Sequence, residues 1–127
     1  AIRRRFAFVE LYPNYELLSA IVEYEDFDLG DILKTMNNRI LNALGKEELL
    51  LGHSYFLSDA VKSGNKYIWT DESFHRQFNY VILPTLKEYT FSHQNALISV
   101  VGEELSSGVL EVDDFVEAFA EEFGNQK

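Results

Sequence analysis

Three adjacent arginines, Arg3, Arg4 and Arg5, and the tripeptide Gly52-His53-Ser54 are the residues whose types and spacing could do chemistry in this 127-residue chain. A guanidinium is a rigid, permanently charged fork that matches phosphate or carboxylate oxygens. Three in a row on a chain of formal net charge −10 point to one specific anion. That overall charge disfavours a polyanion-binding surface. The plainer alternative for the arginines is a solvated basic end with counter-charges nearby. Gly52-His53-Ser54 puts small and polar groups at the expected start of a helix, where free N–H groups attract phosphate. The plainer alternative there is a capped helix with His53 and Tyr55 packed against neighbours.

Other chemistries find little support. His53 and Ser54 are adjacent, with Asp59 near in sequence. Neighbours on a helix point about 100° apart, so His53 is badly placed to activate Ser54. No Gly-x-Ser-x-Gly elbow occurs. His75 and His93 read as surface or helix-end residues. With no cysteine, three histidines and no His-Glu-x-x-His pattern, no metal site is expected. The adjacent acids Glu47-Glu48, Glu103-Glu104 and Glu121-Glu122 read as solvated helix faces. Neither Gly-x-x-x-x-Gly-Lys-Ser/Thr nor Gly-x-Gly-x-x-Gly is present, so the chain cannot by itself cradle and hydrolyse a nucleoside triphosphate in the usual way. Lys62, Lys66 and Arg76 are scattered among acids, which argues against nucleic-acid binding by the helices. No apolar run approaches the roughly 20 residues that span a bilayer. The absence of cysteine is consistent with a cytoplasmic protein.

The elements that must position these residues are mostly helices. Phe6 to Leu11 is apolar on nearly every residue, as in a strand buried on both faces. A lone strand is not stable, so the chain is expected to be part of a longer protein. Asn14 caps an expected helix from about Tyr15 to Tyr24. Asp28 caps a second, with Ile32, Leu33, Met36, Ile40, Leu41 and Leu44 at helical spacing and Gly45 at its end. A short helix is expected from Gly52–Phe56 through Val61, stopped by Ser63-Gly64-Asn65. Thr70 or Asp71 opens a long one from about Glu72 to Tyr89. Its core face is Phe74, Phe78, Val81, Ile82 and Leu86, with a kink at Pro84. Asn95 to Leu105 is a further helix. The last one ends at Phe123, with Phe115, Val116, Phe119 and Phe123 inward and an acidic outer face.

Four stretches together resemble the C-terminal part of McrB-type AAA+ GTPases, the motor subunits of modification-dependent, 5-methylcytosine-specific restriction systems. Ala1-Ile2-Arg3-Arg4-Arg5-Phe6 resembles the Ala-Leu-Arg-Arg-Arg-Phe of that branch, and Phe8 to Pro13 its last core strand. Leu51-Gly52-His53-Ser54-Tyr55-Phe56 resembles Ile-Gly-His-Ser-Tyr-Phe. The run Ile82 to Phe91 resembles the Leu-Leu-x-Glu-Tyr-x-Phe helix that follows a proline. The resemblance covers roughly Ala1 to Phe91.

It implies a mainly α fold: a helical-bundle AAA+ lid preceded by one β-strand from the αβα core. The division would be 1–13 as core strand and arginine segment, 14–93 as lid, and 94–127 as added helices. It implies that Arg3 and Arg4, with Arg5 third, act at a subunit interface as arginine finger or sensor on a neighbour's nucleotide. Gly52, His53 and Ser54 would lie over the nucleotide, although the sensor arginine common in other AAA+ lids is missing here. GTP, with ATP as the other candidate, and Mg²⁺ would be the cofactors of the whole protein. Its partners would be neighbouring ring subunits, an McrC-like nuclease and, through other domains, methylated DNA. Two other readings stay open: the lid of a MoxR-like ATPase or chaperone, which the Gly52–Phe56 motif disfavours, and a stand-alone helical interaction module.

Overall fold

The computed structural model describes residues 14–57, 60–91, 93–108 and 110–124. Asn14 starts the first helix, α1 (Tyr15–Ile21), by accepting the Leu17 N–H on its side-chain oxygen at 3.0 Å. The sequence places the end of this helix near Tyr24. It stops three residues sooner, because Val22 and Glu23 turn extended and form β1 (Val22–Glu23). β-Branched Val22 loses less by that switch than a straight-chain residue would.

Helix α2 (Leu29–Leu44) has the ends expected of it. Asp28 accepts from the Asp31 N–H at 3.2 Å, and Gly45 closes it in the left-handed region at φ 68°. Asp28 also accepts a 2.6 Å hydrogen bond from the Ser19 hydroxyl, tying α1 to the start of α2. The two helices approach so closely that a Cβ on Gly30 would lie 2.2 Å from the Tyr15 carbonyl oxygen. Leu41, expected in the core, is 39% exposed on the far side.

A short 3₁₀ turn (Glu47–Leu49) leads to a second (His53–Phe56). The helix expected to run on to Val61 is not formed. Residues Val61–Ser63 are instead a strand, β2, which pairs antiparallel with β3 (Lys66–Ile68) across a Gly64-Asn65 turn. Gly64 sits at φ 62°, which suits a two-residue hairpin loop. β3 also pairs in parallel with β1, giving a three-stranded sheet of order β1-β3-β2.

Thr70 opens α3 (Asp71–Gln77) through a capping box with Ser73. A π turn (Phe78–Ile82) joins it to α4 (Leu83–Tyr89). Pro84 has no N–H to offer and crowds the turn before it. The backbone responds ahead of the proline, where the Leu83 N–H reaches the Phe78 carbonyl five residues back. Phe74, Phe78, Ile82 and Leu86 are buried as expected, whereas Val81 is partly exposed and Leu83 replaces it inside.

The helix expected over residues 95–105 is two, α5 (Gln94–Val101) and α6 (Glu103–Ser107), broken at Gly102. Gly102 has φ 88°, and a Cβ there would collide with the Glu122 carboxylate. That carboxylate reaches past it to Arg39, whose guanidinium also bonds the Val100 carbonyl at 3.1 Å and lies over the Phe123 ring. α7 (Val112–Phe123) then lays Phe115, Phe119 and Phe123 into the same core as α1–α4. Phe119 meets Phe74 edge-on at 5.2 Å and stacks on Phe115 at 5.6 Å. The described part is mainly helical, with a minor sheet that the sequence did not signal. The expected strand at 6–11 lies outside the described residues.

Candidate functional site

The segment Leu51–Phe56 is short, has little regular structure, and is fixed by side chains from three other elements. Asn37, in the middle of α2, takes both polar groups of the Leu51 peptide. Its Oδ1 accepts the Leu51 N–H at 2.8 Å, and its Nδ2 donates to the Leu51 carbonyl at 3.0 Å. Nδ2 also donates to the Tyr15 hydroxyl at 3.0 Å. On the far side of the segment, Gln77 donates to the Tyr55 carbonyl at 2.9 Å. The Trp69 indole donates to the Phe56 carbonyl at 2.9 Å. Leu51 and Phe56 are fully buried at either end. Gly52-His53-Ser54 is thereby suspended between two anchored peptides.

Gly52 is buried, while His53 and Ser54 are half-buried. His53 Nδ1 is buried and has no hydrogen-bond partner among the described residues. A buried ring nitrogen left unpaired costs on the order of 1–3 kcal/mol, so a group that pairs with it recovers that cost. The helix-dipole attraction expected at this segment is not available. His53–Phe56 is a single 3₁₀ turn, too short to accumulate a macrodipole. What Gly52-His53-Ser54 offers a ligand is local: an imidazole and a hydroxyl, both half-buried. Behind the segment, Tyr55 faces Tyr89, whose hydroxyl is pushed up to about 12 by burial first and then by Tyr55.

Arg3, Arg4 and Arg5 lie outside the described residues, so their relation to Gly52-His53-Ser54 is not among the observed distances. His75 Nε2 lies 2.8 Å from the Leu110 carbonyl, which makes it a donor holding the approach to α7. His93 is exposed at the start of α5. Asn37, Trp69 and Gln77 were not singled out in the sequence. Asn37 and Gln77 did leave a signal, since each interrupts the apolar face of a helix, and both are 2% exposed.

A family model described as McrB, alpha-helical lid domain, matches residues 28–97, more than half of the chain. The chain belongs to this McrB lid family. No curated protein and no solved structure matches it. The matched segment runs from the cap of α2 into the middle of α5, a little beyond the Phe91 limit drawn from the motifs. It contains Gly52-His53-Ser54 and all of Asn37, Trp69 and Gln77. The McrB lid here is thus built so that conventional helices present one irregular, rigidly held loop. α7 lies beyond the match, yet it fills the same core. Among the described residues, no helix is long and apolar enough to cross a membrane.

Proposed function

We propose that this chain is the nucleotide lid of an McrB-like AAA+ GTPase, together with the arginine segment that precedes it. The observation that carries this reading is the match at 28–97, which contains Gly52-His53-Ser54 with its anchored flanks and an imidazole nitrogen that has no partner among the described residues. The residues present fit a nucleotide in that respect. His53 and Ser54 are half-buried hydrogen-bonding side chains on a backbone anchored before a ligand arrives, so little ordering is lost on binding.

In this reading GTP and Mg²⁺ belong to the whole protein, and ATP is the alternative nucleotide. The bound nucleotide supplies the phosphoryl group and the metal neutralises its charge. This chain's part is to hold and orient. His53 and Ser54 contact the nucleotide from the lid. Arg3 and Arg4, with Arg5 third, extend to the nucleotide of a neighbouring subunit. Charge grows on phosphoryl oxygens in the transition state, and a fixed guanidinium stabilises it. The division into 1–13, 14–93 and 94–127 follows the same reading. So does the wider role, in which hydrolysis in a ring drives an McrC-like nuclease on 5-methylcytosine-containing DNA in the cytoplasm.

The test is GTP turnover by the whole protein carrying Arg3→Ala or Arg4→Ala, with assembly measured in parallel. Loss of a finger in trans lowers turnover by about 10³-fold or more while nucleotide still binds. Normal turnover in both variants removes the finger assignment.

A further inference from the structure

Glu25 and Asp71 are far apart in the chain, and nothing in their spacing marks them as partners. The small sheet brings them together. β1 and β3 run in parallel with Glu23 opposite Ile68, and the Trp69 N–H donates to the Glu23 carbonyl at 2.9 Å. The two segments therefore leave the sheet side by side. β1 ends in the tight turn Tyr24–Phe27, closed by the Phe27 N–H on the Tyr24 carbonyl at 3.0 Å. β3 runs through Thr70 into α3, whose first residue is Asp71. The Tyr24 ring lies on Phe74 at 4.7 Å, and Asp71 is one turn before Phe74 on the same helix face. Tyr24 and Glu25 thus both meet Asp71. Glu25 does so at φ 51°, a region that residues with a side chain rarely adopt.

Three oxygen-bearing groups gather there without enough hydrogen bonds to satisfy them. The Glu25 and Asp71 carboxyls are in hydrogen-bonding contact, which two ionised carboxylates do not keep without a proton or a cation between them. Asp71 Oδ1 and the Tyr24 hydroxyl are buried with no aligned hydrogen-bond partner among the described residues, and Tyr24 as a whole is fully buried. Burial first, and the Asp71 charge second, hold that hydroxyl protonated and neutral. A proton shared by Glu25 and Asp71 leaves Asp71 Oδ1 and the hydroxyl unpaired. Glu25 is also exposed, so water favours its ionised form. A cation satisfies all three groups at once. Asp26 and Glu72, next along the two segments, are exposed, and no ion pair among the described residues involves any of these four acids. Together they outweigh the partial positive charge of about half a unit at the start of α3.

We propose that Glu25, Asp71 and the Tyr24 hydroxyl hold a hard divalent cation, Mg²⁺ or Mn²⁺, which pins the turn after β1 to the start of α3. All the protein donors are oxygens, and such cations bind through one or two carboxylates while keeping several waters. No group of three or more acidic or imidazole ligands is gathered among the described residues, so the site is open and its dissociation constant is about 10⁻³ M or somewhat below. The site shares no residue with Gly52-His53-Ser54 and needs no nucleotide, so its failure leaves the lid and finger assignments untouched.

The test uses the 127-residue chain, stripped of metal by a chelator and free of nucleotide, with Mn²⁺ as the paramagnetic probe. In amide NMR spectra Mn²⁺ broadens Glu25, Asp26, Asp71 and Glu72 first and saturably, and Mg²⁺ competes with it. Glu25→Gln and Asp71→Asn each weaken binding about tenfold or more, since each removes one of the two charged ligands. Circular dichroism checks their folds, and Glu25→Gln, in an exposed turn, carries the test if Asp71→Asn does not fold. Glu117→Gln with Glu121→Gln, on the exposed outer face of α7, is the control and binds as the wild type does. Tyr24→Phe keeps the ring and removes the hydroxyl. Without metal it melts higher than the wild type, because an unpaired buried group leaves with the hydroxyl, and it binds Mn²⁺ more weakly. Broadening spread evenly over the acidic faces overturns the proposal, as does broadening at this turn that persists in Glu25→Gln. So does a Tyr24→Phe chain that melts lower without metal and binds Mn²⁺ as the wild type does, since its hydroxyl would then serve Asp71 alone.

Discussion

The segment Leu51–Phe56 and the seam between α7 and α3 are both interior to the fold, and they are held in opposite ways. At the seam, rings pack on rings: Phe115 and Phe119 against Phe74, Phe78 and Tyr24, with Phe123 against Phe119. Each such ring contributes about 1.5–3 kcal/mol by burial. That attraction is non-directional and leaves the exact backbone position free to adjust. At Leu51–Phe56, three polar side chains grip named carbonyls and one N–H. Each of these bonds adds only about 1 kcal/mol net, yet each fixes where one peptide sits. The seam therefore sustains the fold, and the clamp sets the position of Gly52-His53-Ser54. A loop that must meet a ligand with a defined geometry needs the second kind of support.

The contrast breaks most visibly at the seam. Phe119→Ala removes a fully buried ring with four aromatic neighbours or more and should lower unfolding free energy by about 3–5 kcal/mol in denaturant titrations. A loss below about 1 kcal/mol would show that α7 is not part of the core. Asn37→Ala comes next. It leaves the Leu51 N–H and carbonyl buried without their partner, at about 1–3 kcal/mol each. Its signature is local: amide exchange at Leu51 should accelerate far more than at Phe74 or Ile82. Equal acceleration throughout would mean that Asn37 serves general stability and not the segment.

A smaller effect is expected at the bridge that ties α7 to α2 and α5. Glu122→Gln weakens the 2.6 Å pair with Arg39, whose side chains are 27% and 31% exposed, so screening limits the loss to about 1 kcal/mol. Gly102→Ala should cost more than this, since it blocks the same carboxylate and strains the backbone at φ 88°. An order reversed from that would contradict the reading of Gly102.

The smallest effect concerns Glu25, exposed at φ 51° beside Asp71. Its carboxyl is raised above the usual carboxylate range, first by a hydrogen bond with Asp71 and then by the Asp71 charge. A carboxyl raised on folding binds its proton more tightly in the folded state. It thus favours folding at acid pH, and that contribution is lost as pH rises through the folded value. Glu25→Gln should therefore be slightly more stable than the wild type at neutral pH, by less than about 1 kcal/mol. The difference should shrink on acidification through the carboxylate range, and thermal melts at several pH values read it directly. A difference that does not change with pH would show that the Asp71 charge is not its cause.

Much of the seam was legible in the sequence because its determinants are local or periodic. Asp28, Gly45 and Thr70 mark helix ends by chemistry that acts within a few residues. Phe74, Phe78, Ile82 and Leu86, like Phe115, Phe119 and Phe123, recur at helical spacing. The sheet was not legible, since strands of two or three residues are too short to show alternation. Gly64-Asn65 was read as a stop when it is a hairpin loop. Gly102 lay inside an apolar pattern that continues on both sides, so the break it makes depends on Glu122 and Arg39, distant in the chain. The Gly52-His53-Ser54 motif was found by resemblance, but its clamp was not. Asn37, Trp69 and Gln77 act on backbone groups 13 to 22 residues away, and nothing in local patterning encodes such a pairing.

The most direct test of the clamped segment as a nucleotide contact is GTP affinity in the whole protein, comparing wild type, His53→Ala and Asn37→Ala, with unfolding measured in the absence of nucleotide. Loss of a hydrogen bond to a charged ligand corresponds to about tenfold to hundredfold weaker binding. The account predicts that loss for His53→Ala without a loss of nucleotide-free stability, since the unpaired nitrogen leaves with the ring, and a similar loss for Asn37→Ala accompanied by a looser Leu51. Unchanged GTP affinity in both variants would contradict it and leave Leu51–Phe56 as a purely structural joint.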